Sequence, residues 1–238
     1  MTRNIGILAM LVVSVQCLAA CIAPLTYSAE PINAQIVDAE TKRPIEGVVI
    51  VANWQLKEGT LGGSVPAGQL MVMETVTDKE GKFTFPAWGP KTTWKGHLVN
   101  EDPQLLIFKS GYRYRRLLNA YSSSREARLK EIRRSDWNGK QIELELLQAM
   151  SVQSQYENLL DFSKEVDNFA TWHLDPCQWT KLPMTIRTIK ASRKELETRG
   201  GRLHGIRTLD TRLLDGEREF IKACGSAGAD FLREIKHD

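Results

Sequence analysis

The chain has 238 residues, of which 42% are hydrophobic and 26% are charged, and its formal net charge is +3. This length suits one large domain or two small ones, and the hydrophobic fraction is enough for a buried core. The small net charge gives no reason to expect a nucleic-acid partner, and we expect none.

The first twenty residues have the composition of an export signal. Residues 5–15 form an apolar run after a single arginine, and Ala19 and Ala20 precede Cys21. A membrane-spanning helix needs about 20 apolar residues, so this run is too short to cross a bilayer comfortably. A short apolar run followed by small residues is typical of a signal peptide that is cleaved. An ordinary signal cut after Ala29 and an uncleaved anchor are the alternatives.

The segment Leu18-Ala19-Ala20-Cys21 resembles the lipobox of bacterial lipoproteins. The resemblance implies that residues 1–20 are removed and that Cys21 carries acyl chains on its thiol and its new amino group. Several acyl chains give stable anchoring, whereas a single chain binds a membrane only marginally. Ile22, in place of an aspartate, implies the outer membrane of a Gram-negative cell, with the protein facing the periplasm. We expect residues 21–32 to link the anchor to the folded body.

The four cysteines sort by position. Cys17 lies in the predicted signal and Cys21 is the predicted lipidation site, which leaves Cys177 and Cys224. An even pair in an exported protein predicts a disulfide, worth about 4 kcal/mol on the chain-entropy model. Two buried free thiols or a metal site are the alternatives, although no His or Cys pair has the spacing of a zinc site. We expect no metal and no cofactor.

The N-terminal half alternates short strand patterns with turn signals. Strands are expected at 34–37, 48–52, 71–77, 82–85, 104–108 and 141–147. Asp78 and Gly81 have the residue types that favour a tight turn between the third and fourth of these strands. Short strands separated by turns suggest an all-β sandwich.

Three motifs in this half resemble, in order, the carboxypeptidase regulatory-like domain. They are Gln35-Ile36-Val37-Asp38 with residues 44–51, Thr77-Asp78 with residues 79–83, and Lys109-Ser110-Gly111-Tyr112. The resemblance covers about residues 33–147, within a domain that we place at 33–148, and it implies a transthyretin-like Greek-key β-sandwich. It also implies an accessory or binding module without catalytic residues. Two insertions, at 54–70 and 86–103, depart from the compact pattern.

Trp54, Trp88 and Trp94 lie in or beside these insertions. Aromatic side chains on loops can stack on sugars or grip a protein partner. Trp88 and Trp94 are therefore candidate ligand-binding residues. The alternative is that the tryptophans cover an open end of the sandwich.

Residues 109–134 contain nine basic and two acidic side chains, a local balance of +7, together with three tyrosines. Cationic side chains beside aromatic ones can bind anions, which in a cell envelope are lipid headgroups, lipopolysaccharide phosphates or wall carboxylates. Arg113, Arg115 and Arg116 are the candidate ligand-binding residues, and a short helix is expected after Ser124. The alternative is a solvated charged loop that pairs with acidic residues of the C-terminal half.

The C-terminal half, residues 149–238, has helical periodicity. We predict helices at 152–173 and 183–199, a third that Asp210 caps and that continues to Cys224, and a short last helix. The predicted disulfide would lock these helices into a small bundle. The fold class is therefore α+β, with the all-β region 33–148 followed by the all-α region 149–238.

None of the residue patterns has the specificity of a catalytic site. His173 lies near Cys177, but a cysteine held in a disulfide cannot act as a nucleophile. His97 and Glu101 have a suggestive spacing without a second histidine that would support zinc. We expect a non-catalytic, lipid-anchored envelope protein that binds or scaffolds an envelope protein partner or a cell-wall or anionic polymer. The alternatives are a glycan- or anionic-polymer-binding module that uses the tryptophans and the basic segment and, less favoured, an enzyme with a site in the helical half.

Overall fold

The structure, a computed structural model, describes residues 24–98, 102–119, 132–147, 150–169, 176–201 and 207–236. It has a mixed α+β fold, with β-sheets in the N-terminal part and four α-helices in the C-terminal part. The strands are β1 Leu25–Ala29, β2 Ile32–Asp38, β3 Val49–Thr60, β4 Gly63–Val76, β5 Lys82–Phe85, β6 Trp88–Thr93, β7 His97–Leu98, β8 Gln104–Phe108, β9 Arg115–Leu117, β10 Ile132–Arg133 and β11 Gln141–Leu144. The helices are α1 Val152–Phe169, α2 Pro183–Thr198, α3 Leu209–Asp215 and α4 Glu217–Lys236, with a 3-10 segment at Pro176–Lys181.

The strands form one large sheet and two small ones. The large sheet has the order β4-β3-β8-β9, and β7 pairs with the distal part of β3. The small sheets have the orders β11-β2-β5 and β10-β1-β6. All six predicted strands are present, and the largest difference is that β3 and β4 extend into the predicted insertion 54–70 as one long hairpin.

The predicted turn before β5 is confirmed. A side-chain oxygen of Asp78 accepts a hydrogen bond from the backbone N–H of Lys82 at 2.8 Å. Gly81 has φ +68°, and a Cβ at this position would collide with the carbonyl oxygen of Ile36. Phe83 and Phe85 then point to the same buried face, because strand side chains alternate.

Residues 25–29 belong to the folded body, whereas the sequence predicted that they lie in a linker at 21–32. They form β1, which pairs antiparallel with β6 and parallel with β10. Tyr27 and Ala29 are buried, whereas Leu25 is 45% exposed. The strand forms because its inward side chains join the core between the sheets, so the N-terminal segment enters the fold directly.

The central strands β3 and β8 are buried on both faces. Val49 and Val51 of β3 lie in a core shared with the helices, whereas Ile50 and Ala52 lie in the core between the sheets. The two sets alternate because successive strand side chains point to opposite faces. The helices therefore cover the outer face of the large sheet, and the two predicted regions share one of the two hydrophobic cores.

The predicted first and second helices correspond to α1 and α2. The predictions for the residues after α2 differ from the structure. The predicted third helix is two helices, since α3 ends at Asp215 and α4 begins at Glu217. The predicted last helix is the continuation of α4 beyond a break at Gly225, whose φ is +60° and ψ −140°. Asp210 is not the cap, because Thr208 occupies that position and Asp210 lies in the first turn.

A glutamate from the large sheet caps α2. The N-cap position is occupied by Leu182, whose apolar side chain cannot accept a hydrogen bond. Glu74 of β4 takes over this role: its carboxylate accepts the backbone N–H groups of Met184 and Thr185 at 2.7 and 2.8 Å and the Thr185 hydroxyl at 2.7 Å. A cap supplied by another element fixes the start of α2 on the sheet.

We expect Glu74→Ala to lower the free energy of unfolding by about 2 kcal/mol, because three donors at the start of α2 lose their acceptor. Burial, the largest cause, raises the pKa of Glu74 above its ordinary value of 4.5. The native state therefore binds the proton more readily than the unfolded state, so this group's contribution to stability falls as the pH rises above 4.5 through the folded-state pKa.

Urea unfolding over a pH series measures both effects. Glu74→Gln keeps one acceptor oxygen but does not titrate, so its stability should lack the part of the pH dependence that comes from Glu74. Equal pH dependence in the wild type and the glutamine variant would contradict this assignment.

Candidate functional site

The tryptophans do not form a common surface. Trp54 and Trp88 are 1% and 8% exposed and pack edge to face, with ring centroids 5.3 Å apart, in the core between the sheets. The prediction that Trp88 binds a ligand is therefore corrected, because its ring is used in the core. Trp94 lies beyond the end of β6 and is 71% exposed, so it alone of the two candidates can touch a ligand.

The three candidate arginines are placed by β9 and the residues before it. Arg115 and Arg116 are consecutive strand residues and so point to opposite faces of the sheet. Arg115 donates to the backbone carbonyl of Glu143 at 2.9 Å, on the side of β11. Arg116 lies on the helix side and pairs with Glu165 of α1 at 3.2 Å. The sequence cluster is thus divided between two surfaces.

Arg113 and Arg116 line a cleft of about 460 Å³ between β9 and α1. Arg113 pairs with Glu145 at 3.1 Å, with both side chains more than half exposed. Glu157 and Asp161 of α1 line the same cleft, so its four charged side chains balance. A lining of this kind fits a ligand that carries both signs of charge better than a polyanion.

Asn158 of α1 holds the backbone that forms one wall of this cleft. Its side-chain oxygen accepts the N–H of Tyr114 at 3.1 Å, and its amide donates to the carbonyl of Tyr112 at 3.0 Å. The Tyr114 ring packs on Phe162, with centroids 6.3 Å apart. Burial, followed by the nearby carboxylates of Glu165 and Asp161, raises the pKa of Tyr114 above its ordinary value.

The predicted disulfide is present between Cys177 and Cys224, with their Cα atoms 5.4 Å apart. It joins the 3-10 segment to α4 at the residue before the break at Gly225.

A neighbouring cleft of about 420 Å³ is lined by Trp179, Leu209, Leu213, Phe220 and Ala223, with Arg212 and Glu219 as its ionisable members. This lining suits an apolar group. The expectation that the protein is not an enzyme stays a prediction.

A polar network between the helices was not foreseen from the sequence. Arg193 of α2 donates to Asp210 at 3.0 Å and to Glu197 at 2.9 Å, and Glu197 accepts the Tyr156 hydroxyl at 3.0 Å. Asp210 is fully buried. Burial, with the hydrogen bond to Glu197, raises the pKa of Tyr156 to about 12. The network joins α1, α2 and α3, and only the spacing of Arg193 and Glu197 could have indicated it.

Several predicted residues lie outside the described ranges: Cys21, the short helix after Ser124, Glu101 and His173. Within those ranges, no group of three or more His, Cys, Asp or Glu side chains is arranged to hold a metal ion. None of the helices in the described part of the chain is long and apolar enough to cross a membrane.

In comparisons with protein-family models, curated proteins and solved structures, nothing matches this chain. The resemblances to lipoproteins and to the carboxypeptidase regulatory-like domain therefore remain predictions. The functional conclusions rest on the residues and contacts of the chain itself.

Proposed function

We propose that this protein is a lipid-anchored envelope protein, held to a membrane through Cys21, whose body is a non-catalytic binding or scaffolding module. The observation that carries the proposal is the short interval between the predicted lipidation site and the fold. Cys21 precedes Leu25, the first residue of β1, by four positions. An extended chain of four residues spans at most about 14 Å, so the anchor would hold the β-layers close to the membrane surface.

The arrangement of the sheets supports a binding module of the transthyretin-like Greek-key type. Two small sheets cover one face of the large sheet around a common core. The turn at Asp78 and Gly81 and the strand β8 before Gly111 lie in the segments that carry the resemblance. A module of this kind supplies surfaces for a partner, which suits a scaffolding role at the membrane.

The alternative, a glycan- or anionic-polymer-binding module, has less support. Trp88 is buried, and Arg113 and Arg116 already pair with Glu145 and Glu165. A polyanion would have to displace these carboxylates and approach the acidic side chains of α1. The cleft would instead suit a small zwitterionic or peptide group presented by a partner.

We expect Cys21→Ser to move the protein from the membrane fraction to the soluble fraction of cells that express it, because the serine hydroxyl is not a substrate for thioether formation. The measurement is immunoblotting after fractionation, with mass spectrometry of the N-terminal peptide to detect the acyl chains. Cys17→Ser, inside the segment that would be removed, is the matched control and should leave the protein on the membrane. Retention of Cys21→Ser on the membrane to the same extent as the wild type, with residues 1–20 removed as the N-terminal peptide shows, would contradict the lipid anchor.

A further inference from the structure

We propose that one end of the molecule makes direct contact with the surface of a lipid bilayer that carries anionic headgroups, an inference that rests on the proposed function. We call this end the hairpin end and define it by Leu25, by residues 57–66 of the β3–β4 hairpin and by residues 91–97. It is the end at which the segment leading from Cys21 enters the fold.

Strand pairing brings the three parts of the hairpin end together. Leu25 is paired with Thr93, the residue before Trp94, in the register of β1 and β6. Three residues after Trp94, His97 of β7 is paired with Lys57 of β3. Leu25, the exposed tryptophan and the base of the hairpin are therefore close together.

The hairpin extends further than its flanking strands. Among the described strands, β8 pairs with β3 only as far as Asn53 and β7 only as far as Lys57. Beyond Lys57, β3 continues to Thr60 in contact with β4, and the tip contains Leu61. The tip thus lies beyond the rest of the large sheet.

The two most exposed of the large hydrophobic side chains in the described part of the chain lie at this end, and two others accompany them. Among the described residues, Leu61 is fully exposed, Trp94 is 71% exposed, Leu25 45% and Val65 43%. Single exposed hydrophobic residues are ordinary, whereas several at one end of a molecule indicate an interaction surface. Tryptophan favours the boundary between headgroups and hydrocarbon, because its ring is apolar and its N–H is a hydrogen-bond donor.

The basic side chains of the hairpin end and its short distance from the predicted lipidation site both favour a lipid bilayer as its partner. Lys57, Lys91 and Lys95 lie in the same segments of the hairpin end as the apolar side chains, with Glu58 as the acidic residue among them. Basic side chains beside a membrane are attracted to anionic lipid headgroups. The acyl chains on Cys21 would lie within about 14 Å of Leu25. Any other partner would have to compete with the membrane for this end of the molecule.

The test is quenching of tryptophan fluorescence by brominated lipid. The acylated full-length mature protein is reconstituted into vesicles of phosphatidylcholine and phosphatidylglycerol, with or without bromine on the acyl chains, and flotation measures vesicle binding. We expect the brominated vesicles to quench part of the fluorescence in the wild type and none of that part in Trp94→Phe. Trp54, Trp88 and Trp179 are buried in the cores, and Trp137 packs partly buried against the core between the sheets. Trp172 lies outside the described residues, and the comparison with Trp94→Phe subtracts its contribution together with those of the other four.

A matched pair of variants separates the hairpin end from general hydrophobicity. Val65 and Val76 lie in the same strand, at its two ends, and are 43% and 39% exposed. We expect Leu61→Ser/Val65→Ser to weaken vesicle partition of the non-acylated Cys21→Ser chain by about tenfold, because two apolar side chains no longer enter the interface. Val76→Ser/Leu146→Ser, at the opposite end, should leave the partition unchanged.

Each outcome decides between the two proposals. Flotation with quenching that requires Trp94 supports both the anchor and the contact surface. Flotation without such quenching overturns the contact surface and leaves the anchor intact. Absence of flotation overturns both. The Cys21→Ser chain lacks the acyl chains, so its flotation should be weaker than that of the acylated protein while its quenching still requires Trp94. Equal flotation of the acylated protein and Cys21→Ser would overturn the lipid anchor and leave the contact surface intact. Equal effects of the two double variants would overturn the contact surface.

Discussion

Phe162→Ala should lower the free energy of unfolding by about 3–5 kcal/mol, which is a large fraction of the stability of an ordinary domain. Phe162 of α1 is fully buried and stacks on Phe108 of β8, with ring centroids 4.5 Å apart and an interplanar angle of 9°. Removing the ring leaves a cavity between the helices and the large sheet. Because the two parts share this core, we expect them to unfold together.

Urea unfolding and hydrogen exchange test this prediction. The loss of helical ellipticity and the loss of amide protection in β2, which lies in the other core, should shift to lower urea by the same amount. Leu146→Ala, at a side chain that is 41% exposed, is the control and should change stability by less than about 0.5 kcal/mol. A shift of the helical transition alone would show that the two regions fold independently.

The double variant Cys177→Ser/Cys224→Ser should lower the free energy of unfolding by about 4 kcal/mol on the chain-entropy model. The bridge joins positions 47 residues apart, and the loop it closes contains α2 and α3. Without it, the unfolded chain gains conformational freedom, while the native contacts between the 3-10 segment and α4 lose a covalent restraint. The expected result is a lower urea midpoint and faster exchange in α4.

Reduction of the wild type provides the matched comparison. Reduced protein should unfold at nearly the same urea concentration as the double serine variant, because both lack the cross-link. Equal stability of oxidised wild type and double variant would contradict a structural role for the bridge. Faster hydrogen exchange around Phe162 without faster exchange in α4 would show that loss of the bridge acts on another part of the fold.

Local patterns were sufficient to predict most of the strands and turns. The turn at Asp78 and Gly81 depends on one side chain that caps backbone amides and one residue that tolerates a positive φ, and both signals are contained in four residues. The helices α1 and α2 follow from apolar spacing, and the boundaries of α2 follow from Pro183 and Gly200. Gly216 divides the predicted third helix, which the apolar spacing of residues 213–224 did not indicate, whereas the break at Gly225 falls between the predicted third and last helices.

The candidate site was predicted less well, because a cluster in the sequence need not be a cluster in space. Arg115 and Arg116 are adjacent in the chain, and strand geometry sends them to opposite faces of the sheet. Trp88 is followed by glycine and proline, residue types that are common in loops. Its ring nevertheless packs on Trp54 in the core. The continuous apolar run at 48–52 was the available signal for a strand buried on both faces.

The sequence by itself determined the elements that depend on near neighbours in the chain: the tight turn at Asp78 and Gly81, six of the eleven described strands, the first two helices and the pairing of the two remaining cysteines. Only the tertiary structure decided how those elements share a core, because burial depends on which faces meet across long separations in the chain. It placed Glu74 at the start of α2, Asp210 beside Arg193, and Trp94 beside Leu25. These contacts join residues far apart in sequence, so periodicity and local propensity carry no information about them.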